Sequence, residues 1–115
     1  MLCRTTPAVQ LIATSWPFVN ADSRSPEAAA ATPDDANVVL VDSSHLYDQT
    51  CDELRIYLDK LCSGGMMLLH DVDNPECGPA VRAALAEVLP AYGLDWTCYG
   101  GVNGLGVIQI PPRWH

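Results

Sequence analysis

The chain has 115 residues, of which 49% are hydrophobic, so it is long enough for one small domain with a packed core. Lys and Arg total 6 against 14 acids, and the net charge of −8 argues against general binding to nucleic acids or anionic membranes. No apolar run approaches the roughly 20 residues of a membrane-spanning helix, and the N-terminus lacks a convincing signal peptide. Scattered cysteines without a C-x-x-C pair favour reduced thiols and a cytoplasmic location over a structural zinc site.

The first third of the chain predicts a short apolar strand at residues 9–13 and then a short helix. Ser25 can cap this helix, because Pro26 suits its first position and Glu27 its first turn. The alanine run has high helix propensity, and Thr32-Pro33 ends it.

The middle of the chain predicts two buried strands separated by a helix. The run at residues 38–41 is rich in β-branched side chains without alternation, which is typical of a strand covered on both faces. From Thr50 the apolar residues follow a helical period, with one face formed by Leu54, Tyr57, Leu58 and Leu61. Gly64-Gly65 is expected to stop this helix, and "MMLLH" to form the second strand.

The last third predicts one more helix and a hairpin. The helix starts near Pro79, Pro90 ends or kinks it, and Gly93 closes the turn. "LDWTCYG" and "GLGVIQI" read as antiparallel strands joined by "GGVNG", which is rich in residues that tolerate positive φ. Alternation of strands and helices predicts an α/β layered sheet with right-handed crossovers.

Ionisable side chains follow both buried strands at the edge where sheets of this class bind ligands. Asp42 ends the first strand and His45 lies three residues further on, while His70 and Asp71 end the second. Neighbouring strands would bring the two carboxylates to some ~5–10 Å from each other. Such a pair suits a hard divalent cation such as Mg²⁺, and a neutral His45 would take a proton from a substrate hydroxyl.

A purely structural interpretation of the same residues stays open. Asp and Asn often end strands because they initiate turns and cap helices, and Asp48 is placed to cap the following helix. Asp73-Asn74-Pro75 reads as a turn. His70 is either a ligand or a strand-end histidine whose ring is satisfied by its surroundings.

Several segments together resemble the C-terminal half of class I S-adenosylmethionine-dependent methyltransferases. They are "DSRSPE", "VVLVDSSHLYD", "LCSGGMMLLHDVDNP" and "GLGVIQI", within residues 9–110. The most similar subgroup has a D-x-x-H-x-Y motif after the fourth strand and a G-G-x-x-x-x-H-D motif through the fifth. It includes sugar and small-molecule O-methyltransferases and cephalosporin-hydroxylase-like proteins.

The resemblance implies a role for several individual residues. Asp22 matches an acid beside the adenine of the cofactor, Asp42 and Asp71 match metal-binding acids, and His45 matches a histidine proposed as the general base. The position after Asp71 is often a further Asp or Asn ligand in such enzymes, whereas here it is Val72.

The cofactor-binding Gly-rich turn after strand one, and the acid after strand two, have no counterpart in this sequence, which contains no G-x-G-x-G. The family sheet order is 3-2-1-4-5-7-6, so we expect residues 1–115 to form a single incomplete domain with a partial Rossmann-like, three-layer sheet made of strands three to seven. Strand four would then have an open edge that invites association.

The function expected from this resemblance is S-adenosylmethionine-dependent methyl transfer to the hydroxyl of a small-molecule acceptor, assisted by Mg²⁺, in a truncated chain that is not expected to be active alone. The expected partners are the acceptor and a second copy or a complementing chain, with no nucleic acid and no membrane. Two alternatives remain: a structural or interaction module derived from this fold, and a metal-dependent hydrolase, although no G-x-S-x-G nucleophile motif is present.

Overall fold

The computed structural model describes residues 19–114, in which helices and strands alternate until the two consecutive strands at the end. Their order is α1 (Pro26–Ala31), β1 (Ala36–Val41), α2 (Tyr47–Leu58), β2 (Leu61–His70), α3 (Gly78–Tyr92), β3 (Thr97–Tyr99) and β4 (Leu105–Gln109). The strand predicted at residues 9–13 lies outside the described residues. No helix between residues 19 and 114 is long and apolar enough to cross a membrane.

The strands form one mixed sheet in the order β1-β2-β4-β3. β1 and β2 are parallel, whereas β4 runs antiparallel to both β2 and β3. The predicted fold class, an α/β sheet with a C-terminal antiparallel hairpin, is confirmed. The observed order equals the 4-5-7-6 part of the family series, and it places the carboxyl ends of β1 and β2 side by side.

A single hydrophobic core joins the sheet to α2 and α3, which also pack against each other. α2 contributes Leu54, Tyr57 and Leu58 of its predicted face, whereas Leu61, predicted on the same face, is the first residue of β2. The fully buried large side chains include Leu54, Leu58, Leu85, Leu89, Met67, Leu69 and Ile108. Burying a side chain of this size contributes about 1.5–3 kcal/mol, so the core fixes β1 and β2 against the helices and holds their ends in place.

α1 begins as predicted. The Ser25 hydroxyl accepts a hydrogen bond from the Ala28 N–H at 3.1 Å, and Pro26 occupies the first helical turn. The helix ends at Ala31, before Thr32-Pro33.

The boundaries of α2 differ from the prediction at both ends. The helix starts at Tyr47 instead of near Thr50, and Asp48 lies in its first turn and not at the cap. It ends at Leu58, so Gly64-Gly65 does not stop it. These glycines lie inside β2, where the pairing with β1 is irregular between Ala36 and Val38. A Cβ on Gly65 would lie 2.9 Å from the Asn37 carbonyl oxygen, so the bulge requires glycine there.

α3 continues through Pro90 to Tyr92, so of the two effects predicted for Pro90, a helix end is excluded. The last turn is closed by Gly93 in the left-handed conformation (φ 68°), as predicted. Pro90 has no N–H to donate to the carbonyl four residues earlier, so the last turn of α3 has one intrahelical hydrogen bond fewer.

Candidate active site

Four ionisable side chains converge at the carboxyl ends of β1 and β2. Asp42 and His45 come from the loop after β1, His70 is the last residue of β2, and Asp71 follows it. One ligand atom from each lies within 4.8 Å of all the others. We call this group the Asp–His cluster. It contains the predicted residues Asp42, His45 and Asp71, and it adds His70, which the sequence left ambiguous.

Asp71 lies at the centre of the Asp–His cluster. Its Oδ2 is 3.2 Å from His45 Nε2 and 2.9 Å from His70 Nδ1. Asp42 Oδ1 lies slightly further from the same two nitrogens, at 3.6 Å and 3.7 Å. Both carboxylates therefore face both imidazoles.

The Asp–His cluster has a buried half and an open half. The side chains of Asp71 and His45 are 15% and 18% exposed, whereas those of Asp42 and His70 are 54% and 49% exposed. His45 Nε2 and Asp71 Oδ1 are buried and have no hydrogen-bond partner. Buried polar atoms are rarely left unpaired. Two such atoms beside converging carboxylates fit a site that holds a divalent cation.

The backbone at the two buried members of the cluster is unusual. His45 and Asp71 adopt positive φ values of 63° and 65°. Left-handed backbone costs most side chains about 1–2 kcal/mol, although Asp and His tolerate it better than most. Strained backbone of this kind is concentrated at functional sites. The turns at His45 and Asp71 bring the two side chains together, with His45 Nε2 3.2 Å from Asp71 Oδ2.

The hairpin loop before β4 holds the Asp71 segment. The Asp71 N–H donates to the Gly104 carbonyl at 3.2 Å, and the Asp73 N–H donates to the Asn103 carbonyl at 2.7 Å. Gly104 has φ 73°, and a Cβ there would lie 2.6 Å from the Asp73 Cβ. The Gly-rich loop between β3 and β4 is not the cofactor-binding turn of the family, but it has a structural role beside the site.

Val72 offers no ligand, because it is fully buried in the core. A Cβ on Gly106 would lie 2.8 Å from Val72 Cγ1, which shows how closely the strand packs on it. Asp73 is not part of the Asp–His cluster. Instead its side chain is 66% exposed and lies 3.7 Å from the Arg82 guanidinium. His70 is the side chain that completes the group.

A buried polar network near the Asp–His cluster is centred on Glu53, an acid for which the sequence pattern predicts a place in the first turn of the helix but gives no sign of burial. Glu53 is 1% exposed and accepts hydrogen bonds from the hydroxyls of Ser23 at 2.5 Å and Ser43 at 2.8 Å. Gln49 Nε2 donates to Ser23 Oγ at 3.2 Å, and the Ser44 hydroxyl donates to Gln49 Oε1 at 2.7 Å. The network fastens the loop after β1 and the segment around Ser23 to α2.

Glu53→Ala is expected to lower the free energy of unfolding by about 2–4 kcal/mol, because it leaves two serine hydroxyls without their acceptor and opens a cavity. Chemical denaturation measures this change. The matched control is Asp52→Ala, one position earlier in α2, where a half-exposed carboxylate lies 3.6 Å from Arg24. Its expected cost is at most about 1 kcal/mol. Equal losses in the two variants would contradict a structural role for the Glu53 network.

Asp22 lies outside the Asp–His cluster, and its side chain is half exposed. Its Oδ1 accepts a hydrogen bond from the Arg24 backbone N–H at 2.8 Å and lies 3.4 Å from the Arg24 guanidinium. These two interactions, the backbone hydrogen bond first, hold the pKa of the Asp22 carboxyl below its ordinary value. Through Ser23 and Gln49, the segment that carries Asp22 is joined to the loop after β1.

Comparison with solved structures identifies the architecture. The O-methyltransferase NovP superposes with a TM-score of 0.54 and 22% sequence identity over 68% of this chain and 31% of the NovP chain. The fold is methyltransferase-like. No family model and no curated protein sequence matches the chain. The methyltransferase-like fold found here therefore spans about a third of NovP, and its carboxyl strand edge is where the Asp–His cluster lies.

Proposed function

We propose that this chain is part of an S-adenosylmethionine-dependent methyltransferase that transfers a methyl group to a hydroxyl of a small-molecule acceptor, with the help of a divalent cation. The observation that carries the proposal is the convergence of two carboxylates and two imidazoles at the ligand-binding edge of a methyltransferase-like sheet. The similarity to an O-methyltransferase supports transfer to oxygen.

His45 is the proposed general base. Its Nε2 is buried and without a hydrogen-bond partner, so its position suits acceptance of the acceptor hydroxyl proton. After proton transfer, the imidazolium N–H would face Asp71 Oδ2, which lies 3.2 Å away. The carboxylate would thereby stabilise the charge that develops on the ring.

Asp42 and Asp71 are the residues that would hold the divalent cation, which supplies positive charge beside the acceptor oxygen. S-adenosylmethionine supplies the methyl group when it is bound. Asp22 is the proposed contact to its adenosine part. Because the Gly-rich turn has no counterpart in this sequence, we further propose that catalysis requires a second copy or a complementing chain.

The test is isothermal titration of the folded chain with S-adenosylhomocysteine. Replacing the charged Asp22 by asparagine is expected to weaken binding about 10-fold, since a hydrogen bond to a charged group contributes roughly 1.5–3 kcal/mol. Asp34→Asn is the matched control, because Asp34 is an 89% exposed carboxylate whose partner is Lys60. It should leave binding unchanged.

Failure of the folded chain to bind S-adenosylhomocysteine would rule out an autonomous enzyme. Restoration of binding by a complementing chain would keep the methyltransferase proposal. With no restoration, a non-catalytic module of methyltransferase-like fold would be favoured. Equal weakening in the two variants would show that Asp22 acts only through net charge.

A further inference from the structure

The ligand chemistry of the Asp–His cluster disagrees with Mg²⁺. Magnesium in proteins takes oxygen ligands and keeps several waters, and its sites are built from carboxylates and phosphates. Here His70 contributes an imidazole nitrogen alongside the two carboxylates, and the position after Asp71, where a third acid would stand, is the buried Val72. Imidazole ligands suit transition ions such as Zn²⁺ and Fe²⁺.

We propose that Asp42, His70 and Asp71 form a three-ligand site that selects an imidazole-binding transition ion, of the Zn²⁺ class, over Mg²⁺. This inference rests on the cation site of the proposed function and concerns which ion the site takes. It assigns His70 the ligand role that the sequence left open.

The distances within the site agree with one shared ion. His70 Nδ1 lies 2.9 Å from Asp71 Oδ2 and 3.7 Å from Asp42 Oδ1. Ligands held at 2.0–2.2 Å from a common zinc-like ion are roughly 2.8–3.6 Å from one another in octahedral or tetrahedral geometry. Small side-chain adjustments would therefore bring all three atoms onto one ion.

The number of ligands, their exposure and the position of His45 are typical of a catalytic metal site and not of a closed structural one. Three protein ligands leave a coordination position open, which is the pattern of catalytic zinc sites. The half exposure of Asp42 and His70 leaves that side accessible to solvent. His45 keeps its Nε2 for the proton, because a nitrogen that ligates an ion cannot accept a proton at the same time. This nitrogen lies 3.2 Å from Asp71 Oδ2, so it would be close to an ion that Asp71 holds.

The experiment measures the dissociation constants of Zn²⁺ and of Mg²⁺ by calorimetry on the metal-free chain. Wild type is expected to bind Zn²⁺ at least ~100-fold more tightly than Mg²⁺. His70→Asn should weaken Zn²⁺ binding at least ~10-fold, since loss of a group around a metal typically lowers metal affinity 10–100-fold. It should change Mg²⁺ binding less than ~3-fold, because Mg²⁺ prefers oxygen ligands. His70→Asp gives the site an all-oxygen ligand set. The ratio of the Mg²⁺ to the Zn²⁺ dissociation constant should then fall about 10-fold.

His115→Asn is the matched control for adventitious binding to imidazole, because His115 is the remaining histidine of the sequence. It should leave both affinities unchanged. Zinc bound to free thiols would be equally present in wild type and in the His70 variants, so the difference between them isolates His70. Thermal unfolding of each metal-free variant verifies that it folds.

Similar affinities of wild type for the two ions, or Zn²⁺ binding that His70→Asn does not weaken, would overturn the inference. Failure of the folded chain to bind either ion would overturn it as well. Methyltransferase function is tested separately, by S-adenosylhomocysteine binding. A chain that binds Mg²⁺ and S-adenosylhomocysteine without a contribution from His70 would refute the ion assignment alone.

Discussion

Replacing Asp71 by asparagine is expected to weaken cation binding about 100-fold or more. Asp71 is the most buried side chain of the Asp–His cluster, and its Oδ2 is the oxygen nearest to both imidazoles. Even residues outside the ligand set typically change metal affinity 10–100-fold when they are mutated, so loss of a directly ligating charge should cost at least as much. Asparagine also tolerates the left-handed backbone at this position, where φ is 65°.

The matched control is Asp73→Asn, two positions further along the same loop. Asp73 is largely exposed and lies near Arg82, outside the Asp–His cluster. Its substitution should change cation affinity less than about twofold. The same variants can be compared by thermal unfolding. A ligand at 100 times its Kd raises the free energy of unfolding by about 2.7 kcal/mol, and this gain should be absent in Asp71→Asn. If Asp73→Asn lost as much affinity as Asp71→Asn, the binding would be diffuse attraction to an acidic surface.

Gly104→Ala is expected to be the most damaging conservative change in the loop that supports the site. The residue has φ 73°, and the added Cβ would lie 2.6 Å from the Asp73 Cβ and 3.3 Å from the Asp73 backbone nitrogen. Left-handed strain of about 1–2 kcal/mol would be combined with an overpacking cost of typically 1–3 kcal/mol. The expected loss of unfolding free energy is therefore about 2–5 kcal/mol.

Gly93→Ala separates the two contributions. Gly93 has a similar φ of 68°, but a Cβ there would contact nothing within 4 Å. It should lose about 1–2 kcal/mol through backbone strain alone. Chemical denaturation of the two variants measures the difference. Gly104→Ala should also weaken cation binding, because Asp71 donates its N–H to the Gly104 carbonyl, whereas Gly93→Ala should not. Identical losses of stability in the two variants would show that the loop around Gly104 accommodates the added Cβ with no overpacking cost.

The place of the Asp–His cluster in the fold could be predicted from the sequence because it follows from regular features. Apolar runs that end in Asp42 and in His70-Asp71 predict two buried strands, and parallel strands present their carboxyl ends at one edge. The helical period around Leu54 predicts the buried face of α2, and Ser25-Pro26 predicts the start of α1. Each of these signals depends on neighbouring residues only.

The features that were missed depend on contacts between distant parts of the chain. Gly64-Gly65 has the same local appearance as a helix stop, and only its pairing with β1 shows that it forms a bulge. Glu53 looks like an acid attracted by the helix dipole, but Ser23 and Ser43 enclose it. The role of His70 depends on how its ring turns at the strand end relative to Asp42, which no periodicity reports.

The hydrogen bonds from Asp71 and Asp73 to the loop before β4 also bear on folding kinetics. β1, α2 and β2 form a continuous unit that can assemble early, but Asp71 is fixed only when the later hairpin docks against β2. Contacts between segments far apart in sequence form slowly, because loop closure must come first. Cation binding during refolding should therefore begin only when β4 docks against β2. A folding intermediate without the hairpin would contain every ligand residue yet bind no ion.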